Sequence, residues 1–306
     1  MVEGAAMVAI DFGWARKPAL PWGFSRSAAR QRVGGVPPTV LVLAGIVSVQ
    51  VGAAVAKQLF AATGPAGAVS LRLFFAGVVL LVCWRSSLRI ERRALPVVLA
   101  YGAILAVMNL AFYEAIDRIP LGMAVTLEFL GPLVVALAHS RRWIDPVWAV
   151  LAGGGVLLLT HADGPVLWTG VLFALAAGAC WGSYILVGAK LGERTSGGGG
   201  LAIAMAFGGL LSAPMGILGA GASLLQPSVL LAGFGVALLS SVVPYSVELE
   251  ALRRIPPRVF GVLMSLEPAV AALAGLVVLG QLMNFAQWAG IACVVAASAG
   301  ATRTGR

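Results

Sequence analysis

The sequence predicts an all-α integral membrane protein of ten transmembrane helices, arranged as two inverted five-helix repeats around a central cavity. Three observations predict it. Sixty per cent of the 306 residues are hydrophobic and only 11% are charged, with a mean hydropathy of +0.96, whereas soluble domains sit near one half and one quarter. The apolar residues gather into runs of the length that a hydrocarbon core of roughly 30 Å requires, about 20 helical residues each. Finally, one charged hairpin is written twice, as EAIDRIP at 114–120 and as EALRRIP at 250–256.

The spans follow from the breaks. The first, 39–60, lies between Pro37-Pro38 and Gly64-Pro65, and the second, 66–84, runs from that Gly-Pro to the basic segment that begins at Arg85. The third, 95–116, starts after Arg92-Arg93 and ends at the first hairpin; the fourth, 121–138, follows Pro120 and stops at His139. A shorter fifth run, 146–160, needs its neighbours to hold it in the bilayer. The second half repeats the scheme at 166–189, 201–218, 229–251, 258–279 and 285–301. The runs are continuously apolar instead of alternating, which excludes a β-barrel.

A formal net charge of +9 raises the question of nucleic acid; the placement of the charge answers it. With the N-terminus inside, Arg118 is the one basic residue of 21 on a predicted outer loop, and Lys57 and Arg72 lie within spans. All the others fall on inner segments. That bias is the positive-inside signature, so both termini are expected in the cytoplasm and no nucleic-acid partner is expected. Residues 1–38 lack the apolar core of a signal peptide and read as a basic cytoplasmic tail near anionic headgroups. Two repeats, 39–160 and 166–301, and a short tail at 302–306 complete the organisation.

Offset by 136 positions, Glu114, Ala115, Arg118, Ile119 and Pro120 match Glu250, Ala251, Arg254, Ile255 and Pro256, and Leu127, Leu130 and Pro132 match Leu263, Leu266 and Pro268. Five spans separate the copies. An odd number reverses direction, so the twin hairpins are expected at opposite faces. Inverted repeats of this kind are a transporter arrangement, in which the two halves exchange shapes.

Four stretches carry a resemblance: SVQVGAAVAKQLF (48–60), MNLAFYEAIDRIPLGMAVTLEFLGPLVVAL (108–137), GACWGSYILVGAKLG (178–192) and PYSVELEALRRIPPRVFGVLMSLEPAVAALAGLVVLGQ (244–281). They resemble the EamA-type drug/metabolite transporter superfamily over about residues 39–302, and LEFLGP with SLEPA is similar to its amino-acid exporter branch. The resemblance implies a bacterial inner-membrane carrier that exports small amino acids such as threonine and homoserine in exchange for protons. Another small metabolite or a cationic drug is the alternative cargo. Two positions depart from the pattern: Gln281 stands where an acidic residue is expected, and Glu114 where a small or neutral one is.

Ionisable side chains inside a span face protein or a water-filled cavity, because lipid exposure is costly. The set is Lys57, Arg72, Glu114, Glu128, Glu248, Glu250 and Glu267. At about 1.5 Å per residue, Glu128 and Arg72 come to lie roughly 10 Å and 9 Å from the outer ends of their spans. Glu267 enters from the other side, beside Pro268. Glu128 and Glu267 are therefore expected to hold an ammonium group or a transported proton, and Arg72 or Lys57 to meet a carboxylate. The competing structural reading is a pair of bridges, Arg72 to Glu128 and Lys57 to Glu114. Backbone carbonyls freed by Pro132 and Pro268 near 127–128 and 263–264 are further candidate acceptors. Asn109, Tyr113, Tyr184 and Gln50 are expected to shape the cavity, with Trp181, Tyr245 and Glu248 as weaker candidates. Glu248 and Glu250 are expected to pair with Arg253 and Arg254.

Other motifs carry no chemistry. His139 and His161 fall in short loops at opposite faces, and no zinc motif or nucleophile–base pair occurs. No cofactor, metal or catalytic residue is expected, and nothing repeats four- or five-fold as a channel would. Cys83, Cys180 and Cys293 read as small hydrophobes. The GACWG spacing at 178–182 and the GGG at 153–155 suit close helix packing, within one bundle or in a homodimer. GGGG at 197–200 reads as a linker, and DFG at 11–13 has no kinase context.

Overall fold

The computed structural model describes residues 36–138, 143–160, 167–195, 198–252 and 254–304. The basic tail, DFG, His139, Arg141, Arg142, His161 and Arg253 lie outside the described residues. Among those described, every regular element is helical: α1 Pro38–Cys83, α2 Leu95–Arg118, α3 Leu121–Glu128, α4 Leu130–Ala138, α5 Asp145–Thr160, α6 Trp168–Arg194, α7 Gly199–Ala220, α8 Pro227–Ala237, α9 Val243–Leu252, α10 Pro257–Met264, α11 Glu267–Leu279 and α12 Phe285–Thr304. A π-turn, Leu238–Val242, joins α8 to α9. Eight of the helical stretches have the length and apolar composition to cross a membrane, and α5 is a shorter apolar helix. Large side chains such as Leu218 (87% exposed) and Phe285 (88%) stand outward, as a lipid-facing surface requires. This is a multi-pass membrane protein.

The sequence places a loop between the first two spans; the structure has none. Helix α1 runs for 46 residues and turns at Gly64, whose φ of 63° and ψ of 171° are non-helical, with Pro65 inside the merged helix. Only glycine adopts that backbone cheaply, so one residue does the work of a connection. At about 1.5 Å per residue the whole helix is about 69 Å of chain, twice the bilayer core.

The twin hairpins share their local geometry. Pro120 and Pro256 precede α3 and α10 with φ/ψ of −57°/144° and −61°/145°. Ile119 N–H donates to the Ala115 carbonyl, and Ile255 N–H to that of Ala251. Arg118 pairs with Glu114 and Arg254 with Glu250, each one helical turn apart. Each following helix then breaks at the matched position: Phe129 separates α3 from α4, and Ser265 ends α10.

Glycines set the closest crossings. A Cβ on Gly178 of α6 would lie 2.7 Å from the Glu128 carbonyl, and one on Gly131 would overlap the Gly178 carbonyl. Gly155 of α5 and Gly290 of α12 meet in the same way, each 2.7 Å from the other's carbonyl oxygen. Both motifs singled out in the sequence thus serve packing inside the bundle, although Gly153 and Gly154 have nothing within 4 Å. Helix α1 is the hub, packing most extensively on α7 and also on α8 and α9.

Candidate functional site: a charged cavity in the bundle

A cavity of about 350 Å³ lies inside the bundle. It runs from mid-bundle to the end that carries Thr195, Ser298 and Thr302. At the opposite end three hydrogen bonds tie helices together. Lys57 Nζ donates to the Ile116 carbonyl. Gln58 Nε2 donates to the Val278 carbonyl at 3.3 Å, and Leu121 N–H to Gln281 Oε1 at 2.9 Å. Leu121 follows Pro120 at the start of α3, so its amide has no helical acceptor of its own. Gln281 supplies one, which gives this departure from the family pattern a structural role.

Six of the eight predicted site residues border the cavity: Glu128, Glu267, Arg72, Asn109, Tyr184 and Gln50. Glu128 closes α3 and Glu267 opens α11, so both helix breaks deliver a carboxylate to the same space. They are 8% and 7% exposed. Gln50 Nε2 donates to Glu267 Oε1 at 3.1 Å; the other oxygens of both residues are buried without a protein partner. Asn109 Nδ2 donates back to the Leu105 carbonyl at 2.8 Å, which leaves its oxygen as the group on offer. Arg72 donates from Nη1 to Tyr113 Oη and from Nη2 to the Ser240 carbonyl, both at 3.2 Å, and its Nε is buried without a partner. The Ser240 carbonyl belongs to the π-turn, whose altered bonding register exposes acceptors. Ser48 Oγ takes the neighbouring Leu239 carbonyl at 2.7 Å.

Two predicted residues do not border the cavity. Lys57 is committed to the Ile116 carbonyl at the tied end. Tyr113 is fully buried behind Arg72, with its ring 5.6 Å from the guanidinium carbon and 5.4 Å from the Phe60 ring, so it braces Arg72. Neither structural bridge forms among the described residues: Arg72 is held by Tyr113 and Ser240, and Glu114 pairs with Arg118 instead of Lys57. The carbonyls expected to be free are also used in part. Leu266 N–H takes that of Leu263 at 3.0 Å, and the Glu128 carbonyl is packed on Gly178.

Of the two readings of Glu248 the structure favours the cavity: Glu250 reaches Arg254, whereas Glu248 lines the cavity instead of joining that charge pair. Two residues apart on one helix, the side chains point about 200° apart, so they cannot share a role. Tyr101 lines the cavity as well and stacks on Tyr184, with ring centroids 4.6 Å apart at 29°. The signal for it was present: Tyr101, Leu105 and Asn109 are spaced by four on one face of α2. Tyr245 and Trp181, the weaker candidates, also line it, Trp181 edge-on to Phe129 at 5.3 Å.

The site therefore offers both signs of charge, one guanidinium and three carboxyl groups, on a largely apolar and aromatic wall. Among the described residues that line it, no nucleophile hydrogen-bonded to a base is recorded. Such a chamber suits holding a small zwitterion or cation.

The profile of the EamA-like transporter family matches residues 168–303. Threonine/homoserine exporter RhtA of Escherichia coli (strain K12) is 43% identical over 279 residues, spanning 88% of this chain and 92% of that protein. The protein of the same name from Salmonella typhimurium (strain LT2) is 41% identical, spanning 87% and 92%. One solved crystal structure superposes with a TM-score of 0.60 at 20% identity, covering 87% of this chain and 96% of its own, a likeness of fold.

Proposed function

The chain belongs to the EamA-like transporter family, and from that premise we propose that it exports small amino acids, threonine and homoserine among them, by proton antiport with alternating access. It is a transporter and not an enzyme. The cavity carries the reading: Arg72 faces the same space as Glu128 and Glu267, the arrangement that a group with one carboxylate and one ammonium needs. Arg72 takes the carboxylate. Glu267, with Gln50, takes the ammonium, and Glu128, which borders the same cavity as Glu267 and Arg72, exchanges protons. A carboxylate whose hydration and partners change between two states changes its proton affinity with them, which couples the proton to the cargo.

In this reading the two arms of α1 count as separate spans. With α5, and with the breaks at Phe129, at the π-turn and at Ser265–Leu266 each kept within one span, they complete ten helices in two inverted sets of five, residues 39–160 and 166–301. The end tied by Lys57, Gln58 and Gln281 is the periplasmic side and the cavity reaches toward the cytoplasm, an inward-facing state in the inner membrane with both termini inside. The orientation has a direct check. In a protein with Cys83, Cys180 and Cys293 replaced by Ala, a Cys placed at position 118 is expected to react with an impermeant maleimide from outside intact cells. One placed at 254 is expected to react only after permeabilisation; labelling of both from one side would remove the inversion.

Transport itself is tested in proteoliposomes with an imposed pH gradient. Threonine and homoserine are expected to move uphill, to saturate, and to stop when the gradient is collapsed. An aromatic cation serves as control, since Trp181, Phe129 and Phe112 give the cavity a surface for one. Movement of that cation without either amino acid would favour the drug-exporter alternative.

A further inference from the structure

Three phenols reach the cavity from three different helices, Tyr101 from α2, Tyr184 from α6 and Tyr245 from α9. The Tyr101 ring stacks on that of Tyr184, with centroids 4.6 Å apart, and Tyr245 lines the same cavity. The surrounding wall is mostly apolar, with Phe112, Phe129, Trp181 and Ile185. Packing alone does not require hydroxyls here, because phenylalanine gives the same stacking area without a polar group to satisfy. Arg72 lines the same cavity as Tyr184 and Tyr245, so the phenols share the chamber in which a bound carboxylate belongs.

We infer that Tyr184 and Tyr245 form a subsite for the hydroxyl on the side chain of the transported amino acid and so set the specificity of the carrier. The inference rests on the amino-acid reading above. A phenol both donates and accepts, so it takes an aliphatic hydroxyl in either sense. Two phenols on different helices also cover hydroxyls at two distances from the α-carbon. A methyl in place of the hydroxyl would leave buried phenol groups short of a partner, which is how a polar site rejects an analogue of the same shape.

Threonine and valine provide that comparison, as do homoserine and norvaline. In proteoliposomes holding the full chain, the unaltered protein is expected to prefer threonine over valine by about 10-fold or more. Tyr184→Phe and Tyr245→Phe are each expected to narrow that ratio to within about 3-fold, by weakening threonine while valine keeps its flux; valine flux then reports that the variant is folded. A ratio that stays as in the unaltered protein in both variants would overturn the subsite, and so would a parallel loss of both substrates. Equal transport of threonine and valine by the unaltered protein overturns it too, while leaving the amino-acid carrier intact. Transport of neither threonine nor homoserine by the unaltered protein removes the carrier reading, and the subsite falls with it.

Discussion

Glu128→Gln is expected to abolish uphill export driven by a pH gradient, while exchange of amino acid for amino acid across the same membrane continues at a reduced rate. Glutamine keeps the shape of the residue but cannot carry a proton at any working pH. Glu128 is 8% exposed and borders the cavity, and its backbone is pinned against Gly178. Removing the proton-exchanging group is expected to lower uphill flux by about 100-fold, equivalent to about 2.8 kcal/mol at 1.4 kcal/mol per factor of ten. Glu267→Gln is expected to differ in kind. Gln50 already donates to Glu267, an amide oxygen can accept that bond, and the effect should appear as weaker substrate affinity with coupling retained. Undiminished proton-coupled export by the Glu128→Gln protein would take Glu128 out of the carrier role.

Gly131→Val is expected to destabilise the bundle by about 3 kcal/mol or more, with loss of monodisperse protein in detergent and a lower unfolding midpoint. The reason is backbone against backbone. A Cβ at 131 would lie 2.6 Å from the Gly178 carbonyl carbon, and no rotamer change relieves a clash with main chain. Because the same crossing seats Glu128 at the cavity, milder changes such as Gly178→Ala should cost transport before they cost folding. Gly153→Val is the matched control: nothing lies within 4 Å of its Cβ, so its midpoint should stay near that of the unaltered protein. Equal behaviour of the 131 and 153 variants would show that the crossing is looser than drawn here.

Much of the site could be read from the chain because charge inside a membrane is rare and each instance has a reason. Glu128 and Glu267 stood out against their apolar runs, and both border the cavity. Arg72 did as well. Lys57 shows the limit of that logic, since the same rule that marks a buried cation as functional is met by a backbone carbonyl such as that of Ile116. Glu248 was only partly legible for a related cause: its sequence neighbours Glu250 and Arg254 favoured charge pairing over the cavity, yet neighbours along a helix point in different directions. The break at Gly64-Pro65 was legible, but that it needs no loop was not, and the π-turn at Leu238–Val242 was missed because it preserves apolar composition and leaves no polar loop to mark it.

The extent of each membrane helix was thus written in the amino-acid order, through the lengths of the apolar runs and the breaks between them. Rotation of each helix about its own axis was not. In a soluble helix the polar face reveals the orientation, but here lipid-facing and core-facing sides are both apolar, so the pattern carries little of that information. It emerges when glycines such as Gly131, Gly178 and Gly155 let backbones meet at fixed crossings. Those contacts turn Tyr101 and Glu248 inward, send Lys57 to a carbonyl, and bring residues more than 200 positions apart, Gln50 and Glu267, into one hydrogen bond.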